Sequence, residues 1–311
     1  MSKKQKLKVS WVRVGYIVIT VALMVVIIEQ ISDLRGSLSH ISHSNKGYDL
    51  LVLICILITY LFAALTYYSI SFKPLKYIRT VIVGFGINVL NKLLPAGLGG
   101  IGGNYVYLRH NSHTQAQAAA TVAANAILGV VANLSLLLFL IFKFPINKLK
   151  INAISPHLII VGICIFLAVL IFVTAVPGIR KKLLHSTKIV LKNMAHYRQR
   201  KLRLLYGLLC QVGLTLFYVI GLSFSLQAVG VSLSIGSLMV AFSFAIWLGA
   251  VIPAPGGVGS VEAGLVAGLV AFKVDITQAV AAVLVFRLIS FWIPLLLGIP
   301  ALVWSFNKKY L

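Results

Sequence analysis

Long apolar runs alternate with short polar connections along this chain. Six runs, near residues 12–32, 49–71, 114–142, 157–177, 204–229 and 278–305, approach the ~20 residues an α-helix needs to cross a ~30 Å hydrocarbon core. Two further apolar stretches, 81–111 and 235–272, are interrupted in the middle by proline and glycine. Arms 81–94 and 259–272 are short for a span and suited to re-entrant helices, whereas 235–252 is long enough to cross. Broken span and hairpin both remain for that second stretch. The pattern predicts an all-α integral membrane protein with about six full spans plus two re-entrant helical hairpins. All of it forms a single transmembrane domain, 1–311.

Composition agrees. Hydrophobic residues make up 60% of the chain and charged residues 11%, too few charges to cover the surface of a soluble domain of this length. A β-barrel would show short alternating segments in place of long continuous runs. Cys55, Cys164 and Cys210 all lie inside apolar runs without metal-ligand spacing, so they read as small buried hydrophobes. Residues 1–13 resemble the basic start of a signal peptide. The apolar run that follows continues to Ile28 without a small-residue cleavage pattern, which favours a signal anchor.

The net charge of +23 changes the picture through its placement. Basic residues gather at the ends of apolar runs, where they meet lipid headgroups and set topology, so nucleic acid is not the expected partner. With residues 1–13 inside, the inner connections collect Lys73, Lys76, Arg79, Arg109, the nine Lys/Arg of 178–203, and Lys308 and Lys309. The outer ones hold only Arg35, Lys46, Lys143, Lys148, Lys150 and Lys273. Both termini are then cytoplasmic. Segment 178–203 reads as a positive-inside loop or as a basic interfacial helix against anionic lipid.

In this topology hairpin 81–111 enters from inside and hairpin 235–272 from outside. The two hairpins are oppositely oriented, and a unit of span, hairpin and span occurs twice, at about 49–142 and 204–305. Inverted repeats of this kind are a common way to build a transporter. An offset of 158 residues aligns Leu94-Pro-Ala-Gly-Leu-Gly-Gly-Ile-Gly-Gly-Asn104 with Ile252-Pro-Ala-Pro-Gly-Gly-Val-Gly-Ser-Val-Glu262 without a gap. Pro95 falls on Pro253, Gly99 on Gly257 and Asn104 on Glu262.

The breaks hold the candidate site. Pro95 and Pro253 stop helices, while Gly99, Gly100, Gly256, Gly257 and Gly259 permit close approach of backbone to a ligand. Helices restarting at about Ile101 and Ser260 would turn free N–H groups toward an anion; tight packing through small residues is the alternative. Glu262 is the one carboxylate in a membrane-embedded stretch, so it should be paired, protonated or cavity-facing. Arg287, ten residues into the last run, is the expected partner. In the functional version Arg287 holds an anionic headgroup while Glu262 accepts a cation or a proton; a purely structural pair is the alternative. Asn104 offers a neutral amide at the position equivalent to Glu262. Lys92 would snorkel to the inner surface. Arg109, before His110 and His113, acts on headgroups or anchors the interface. No nucleophile–base pair, metal motif or nucleotide loop is present, and no cofactor is implied.

Three segments carry a family resemblance. They are Asn91-Lys-Leu-Leu-Pro-Ala-Gly97 with its glycine-rich continuation to Arg109, Pro253-Ala-Pro-Gly-Gly-Val-Gly-Ser-Val-Glu262, and Phe286-Arg287 followed by Trp292-Ile-Pro-Leu-Leu-Leu-Gly298. Together they resemble the lysylphosphatidylglycerol synthase transmembrane region, the flippase-like domain of multiple peptide resistance factor proteins. The resemblance implies a bacterial plasma-membrane protein that moves an aminoacylated phospholipid, another phospholipid, a glycolipid or a polyprenyl carrier between leaflets. It matches Glu262 and Arg287 by motif. Run 114–142 departs from it in having no arginine. In the family a separate soluble domain carries out aminoacyl transfer; the sequence ends at Leu311 directly after the last run, so translocation rather than transferase activity is expected, with a separate synthase as a conceivable partner. Membrane lipids are the expected ligands, and self-association is left open. A membrane component of lipid aminoacylation and a proton-coupled solute transporter are the other readings.

Overall fold

The computed structural model describes residues 45–94, 97–143, 197, 200–251 and 256–311. The runs expected at 12–32 and 157–177, most of segment 178–203, and Pro95 and Pro253 lie outside the described residues. Within them every element is helical: α1 (Lys46–Ile70), α2 (Tyr77–Leu93), α3 (Leu98–His110), α4 (Gln115–Lys143), α5 (Lys201–Ala228), α6 (Ile235–Val251), α7 (Ser260–Ala271), α8 (Ile276–Arg287) and α9 (Ile293–Asn307), with a π-helical turn, Leu288–Trp292, joining the last two. Four stretches are long and apolar enough to cross a membrane: Lys46–Ile70, Gln115–Leu140, Lys201–Ala228 and Ile276–Asn307. Each matches one of the expected spans. Their outward positions, among them Ile54, Val130, Phe139, Leu209, Leu296 and Val303, are exposed and apolar, as a lipid-facing surface requires.

Local chemistry sets the helix starts. Asn45 Oδ1 accepts the Gly47 N–H at the head of α1, and Asp49 in the first turn faces the positive end of the dipole. At α4, Thr114 and Gln117 exchange side-chain and backbone hydrogen bonds at 3.1 and 3.2 Å, a capping box. Asp275 accepts from Thr277 and Gln278 at the head of α8. The π-turn has a covalent cause. Pro294 has no N–H, so the carbonyl of Ser290 loses its α-helical donor, and the Ile293 N–H instead reaches back five residues to Leu288.

Both interrupted stretches fold back on themselves as helical hairpins. In the first, Gly99 lies on the backbone of Leu90 and Gly103 on the Ile87 side chain. In the second, Gly249 faces Val261, Gly264 faces Ala245 and Gly268 faces Ala241. Small residues let these backbones approach where apolar side chains alone give little net association in lipid. The same device joins more distant elements: Gly86 and Gly298 seat α2 against α9, and Gly207 and Gly213 seat α5 against α1 and α4. Polar ties add to it, with Asn133 donating to Ser243 between α4 and α6, and Gln211 to Asn125 between α5 and α4.

His113 fastens the end of the first hairpin. It is 1% exposed in the turn between α3 and α4. Its Nδ1 lies 3.0 Å from the carbonyls of Leu108 and Asn111, so that nitrogen carries the proton. Its Nε2 therefore accepts the Lys73 N–H at 3.1 Å and faces Ser71 Oγ at 2.7 Å. Burial first, then the Lys73 charge, lowers its pKa from the ordinary 6.5 against those carbonyl contacts. The folded state thus binds fewer protons at this site than the unfolded state. Its stabilisation is complete above about pH 6.5 and is lost as pH falls through the lowered value. Thermal unfolding in nanodiscs should show a Tm that drops below pH 6.5, and His113→Gln should flatten that dependence. An unchanged slope in the variant would refute the assignment.

Candidate functional site

The two breaks meet. Gly256 lies between α6 and α7 with φ +61°, a conformation L side chains rarely adopt. A Cβ there would lie 2.6 Å from the Phe291 ring and 3.2 Å from the carbonyl oxygen of Lys92, so only glycine fits. Lys92 ends α2 at the first break, Gly256 belongs to the second, and Phe291 lies in the π-turn. Three distant segments converge here.

The charged groups gather around this contact. Arg287, in the last turn of α8, donates through Nε to Glu262 Oε1 at 2.5 Å and through a terminal nitrogen to the Gly256 carbonyl at 3.3 Å. Its guanidinium carbon stands 4.8 Å from the Phe291 ring centroid. Lys92 Nζ sits 4.5 Å from the same centroid, donating to the carbonyls of Phe291 and, at 3.4 Å, Ser290. Ser290 is the carbonyl that Pro294 leaves without a helical donor, so the lysine repairs a defect that the proline creates. Two basic groups therefore share one aromatic ring, and one of them, Arg287, holds the carboxylate. Glu262 is in the first turn of α7, where the dipole favours its charge. Its second oxygen, Oε2, is buried and has no hydrogen-bond partner among the described residues.

A cavity of ≈ 330 Å³ lies within the bundle, walled by α1, α2, α3, α4 and α5. Asn88, Asn91, Asn104 and Asn125 line it together with Tyr60 and Tyr218, and among the described residues no charged side chain borders it.

The model of the lysylphosphatidylglycerol synthase transmembrane region matches residues 12–298, which include both breaks, Glu262 and Arg287. The chain belongs to that family. A comparison with curated proteins finds no match. A membrane location and a role connected with membrane lipids fit the family and the apolar helices.

In this member of the lysylphosphatidylglycerol synthase transmembrane-region family, the residues singled out from the sequence have separate fates. Glu262, Arg287 and Gly256 come together as one cluster. Gly257 and Gly259 continue the same turn with φ +68° and +80°; Gly257 lies beside Val261, and nothing lies within 4 Å of a Cβ on Gly259. The expected restart of the first half-helix near Ile101 is corrected to Leu98, since Gly97 with φ +73° forms the N-cap and the following glycines are helical. Gly99 accordingly packs against Leu90 instead of presenting backbone to a ligand. The Gly100 N–H is taken by Asn91 Oδ1 at 3.0 Å, so this helix start is partly capped by protein. Asn104 donates to the Gly100 carbonyl at 2.8 Å and borders the cavity. Arg109 donates to the His113 carbonyl at 2.8 Å, at the end of α3 some ~16 Å of helix from the break.

Lys92 corrects the sequence reading most. It turns inward to the π-turn carbonyls and does not snorkel, because those carbonyls and the Phe291 ring satisfy its ammonium better than a long reach through apolar side chains. Phe291, the π-turn, Asn88, Asn91 and Asn125 had no place in the candidate site. Pro294 and the asparagines inside apolar helices were the available signals.

Proposed function

We propose that this chain translocates a lipid between leaflets, with the headgroup engaged where the two breaks meet. The observation that carries the reading is the convergence of Lys92, Gly256, Glu262, Arg287 and Phe291 from three segments far apart in sequence. Intramembrane charges are costly and tend to face a bundle interior or a wet pathway, often marking a substrate route. Arg287 and Lys92 suit a phosphate, while the unpartnered Glu262 Oε2 suits an ammonium or hydroxyl donor of the same headgroup. Substrate and protein then compete for the same groups: a phosphate on Arg287 releases Glu262, and a donor on Glu262 releases Arg287. Such exchange keeps a headgroup paired throughout its passage.

The described residues carry the order long helix, hairpin, long helix twice, as α1, α2–α3, α4 and as α5, α6–α7, α8–α9. This order supports the inverted repeat with six spans, hairpins entering from opposite faces, and cytoplasmic termini in a bacterial plasma membrane. Pro95 and Pro253 stop the arms in this scheme, with Gly99, Gly100, Asn104 and Arg109 supporting the first hairpin. A membrane-impermeant probe should then label Asp275→Cys from outside and His110→Cys from inside, in a background with the native cysteines replaced. The opposite result at either site breaks the scheme. Translocation itself is tested by the leaflet sidedness of labelled lipids in proteoliposomes, comparing wild type with Glu262→Gln and Arg287→Ala. A second reading, proton-coupled solute transport, draws on the unpartnered Glu262 oxygen and predicts pH-driven uptake with lipid sidedness unchanged. Lysyl-lipid formation by the purified chain with charged tRNA would instead favour the aminoacylation reading.

A further inference from the structure

The cavity walled by α1 to α5 has a chemistry unlike that of the charge cluster. Four carboxamides reach it: Asn88 and Asn91 from α2, Asn104 from α3 and Asn125 from α4. Buried amides in an apolar bundle are costly unless they tie helices together or meet a ligand. Tying accounts for only half of three of these groups. Asn91 uses its oxygen on the Gly100 N–H, Asn104 its nitrogen on the Gly100 carbonyl, and Asn125 its oxygen on Gln211. Among the described residues this leaves the Asn91 and Asn125 nitrogens and the Asn104 oxygen without a protein partner. Asn88 ties nothing, and its Nδ2 is buried without a hydrogen bond. Free amide donors and at least one free amide acceptor thus line one cavity. Its ≈ 330 Å³ is at the small end of the ~300–1,000 Å³ usual for small-molecule pockets, enough for a headgroup but not for two acyl chains.

A phosphate or ammonium would find no countercharge there among the described residues. Hydroxyl groups, each a donor and an acceptor, can serve both the free amide nitrogens and the free amide oxygen. We propose that this cavity is a binding site for an uncharged polyol, the glycerol or sugar portion of a lipid headgroup, separate from the charged site at Glu262 and Arg287. The inference rests on the lipid reading above only for what carries the polyol. The hydroxyls replace the missing partners of Asn88, Asn91, Asn104 and Asn125 without displacing the bonds that hold the helices.

The test uses the full chain in phosphatidylcholine nanodiscs with equal small fractions of three probes. Phosphatidic acid has the charge without the polyol, monoglucosyldiacylglycerol the sugar without the charge, and phosphatidylglycerol both. Lipids retained through mild extraction are quantified by mass spectrometry. Wild type should retain a polyol lipid over phosphatidic acid by about tenfold. The glucosyl lipid alone, phosphatidylglycerol alone, or both being enriched identifies the source of the polyol. Asn88→Leu and Asn104→Leu should abolish the enrichment. Asn88→Ala, which removes the amide without adding bulk or charge, should do the same, and the Tm of each variant in the same nanodiscs separates lost recognition from misfolding. Equal retention of all three lipids, or enrichment unchanged in the Asn88 variants, overturns the proposal. Should Glu262→Gln and Arg287→Ala translocate normally while polyol enrichment persists, the charged site fails and the cavity stands.

Discussion

Arg287→Ala should destabilise the protein by about 3 kcal/mol, and adding Glu262→Gln to it should recover part of that loss. Both side chains are mostly shielded, with Arg287 14% and Glu262 21% exposed. Removing one partner of a buried ion pair costs roughly 3–5 kcal/mol, chiefly because the other charge is left uncompensated. The lower end applies here because both groups retain some exposure. The case is sharpened by the state of the carboxylate: among the described residues Oε2 already has no partner, so losing Arg287 leaves neither oxygen with one. The alanine variant also loses the contact with Phe291 and the bond to the Gly256 carbonyl. Glu262→Gln is milder, since Arg287 keeps those two partners. Unfolding of the single and double variants in one detergent gives the coupling directly. Simply additive losses would mean that the pair is not a unit.

Gly99→Ala should open the first hairpin at a similar or larger cost. The added Cβ would meet the Leu90 carbonyl oxygen at 1.9 Å and its carbon at 2.1 Å. Both atoms are backbone, so no side chain can turn aside, and α2 and α3 must separate. Overpacking typically costs about 1–3 kcal/mol, and a rigid backbone clash is at or above the top of that range. Gly102→Ala is the control. That glycine lies in the same helix, is exposed and has nothing within 4 Å of a Cβ. It should be neutral or gain about 0.5–1 kcal/mol from the better helix former. A Gly99→Ala protein as stable as its Gly102→Ala counterpart would contradict the hairpin packing. Because Asn91 caps Gly100 in the same contact, Gly99→Ala should disturb the polyol cavity as well.

The sequence showed some features and hid others for identifiable reasons. Runs of apolar residues are long-range and redundant, so α1, α4, α5 and the α8–α9 stretch were legible within a few residues of their ends. The Glu262–Arg287 pair was legible because an intramembrane carboxylate needs a partner and Arg287 was the nearest deep basic residue. Glycines were ambiguous. The same residue type serves a turn at Gly97 and Gly256 and helix packing at Gly99 and Gly103, and only the third dimension separates them. Lys92 was misread because its partners are carbonyls nearly two hundred residues away, and only that of Ser290 is left without a helical donor by Pro294. The asparagine cavity was missed because four amides scattered over three helices have no period; they acquire meaning only when α2, α3 and α4 fold together.

The central claim is that a lipid headgroup crosses at the meeting point of the two breaks. Its most direct test is the rate at which fluorescent phospholipid in proteoliposomes becomes accessible to an impermeant quencher. Wild type, Glu262→Gln, Arg287→Ala and Lys92→Ala would be compared at equal folded amounts. Wild type should raise the rate well above protein-free vesicles, and Glu262→Gln and Arg287→Ala should each lower it at least tenfold. Folded variants that move lipid as fast as wild type would contradict the claim.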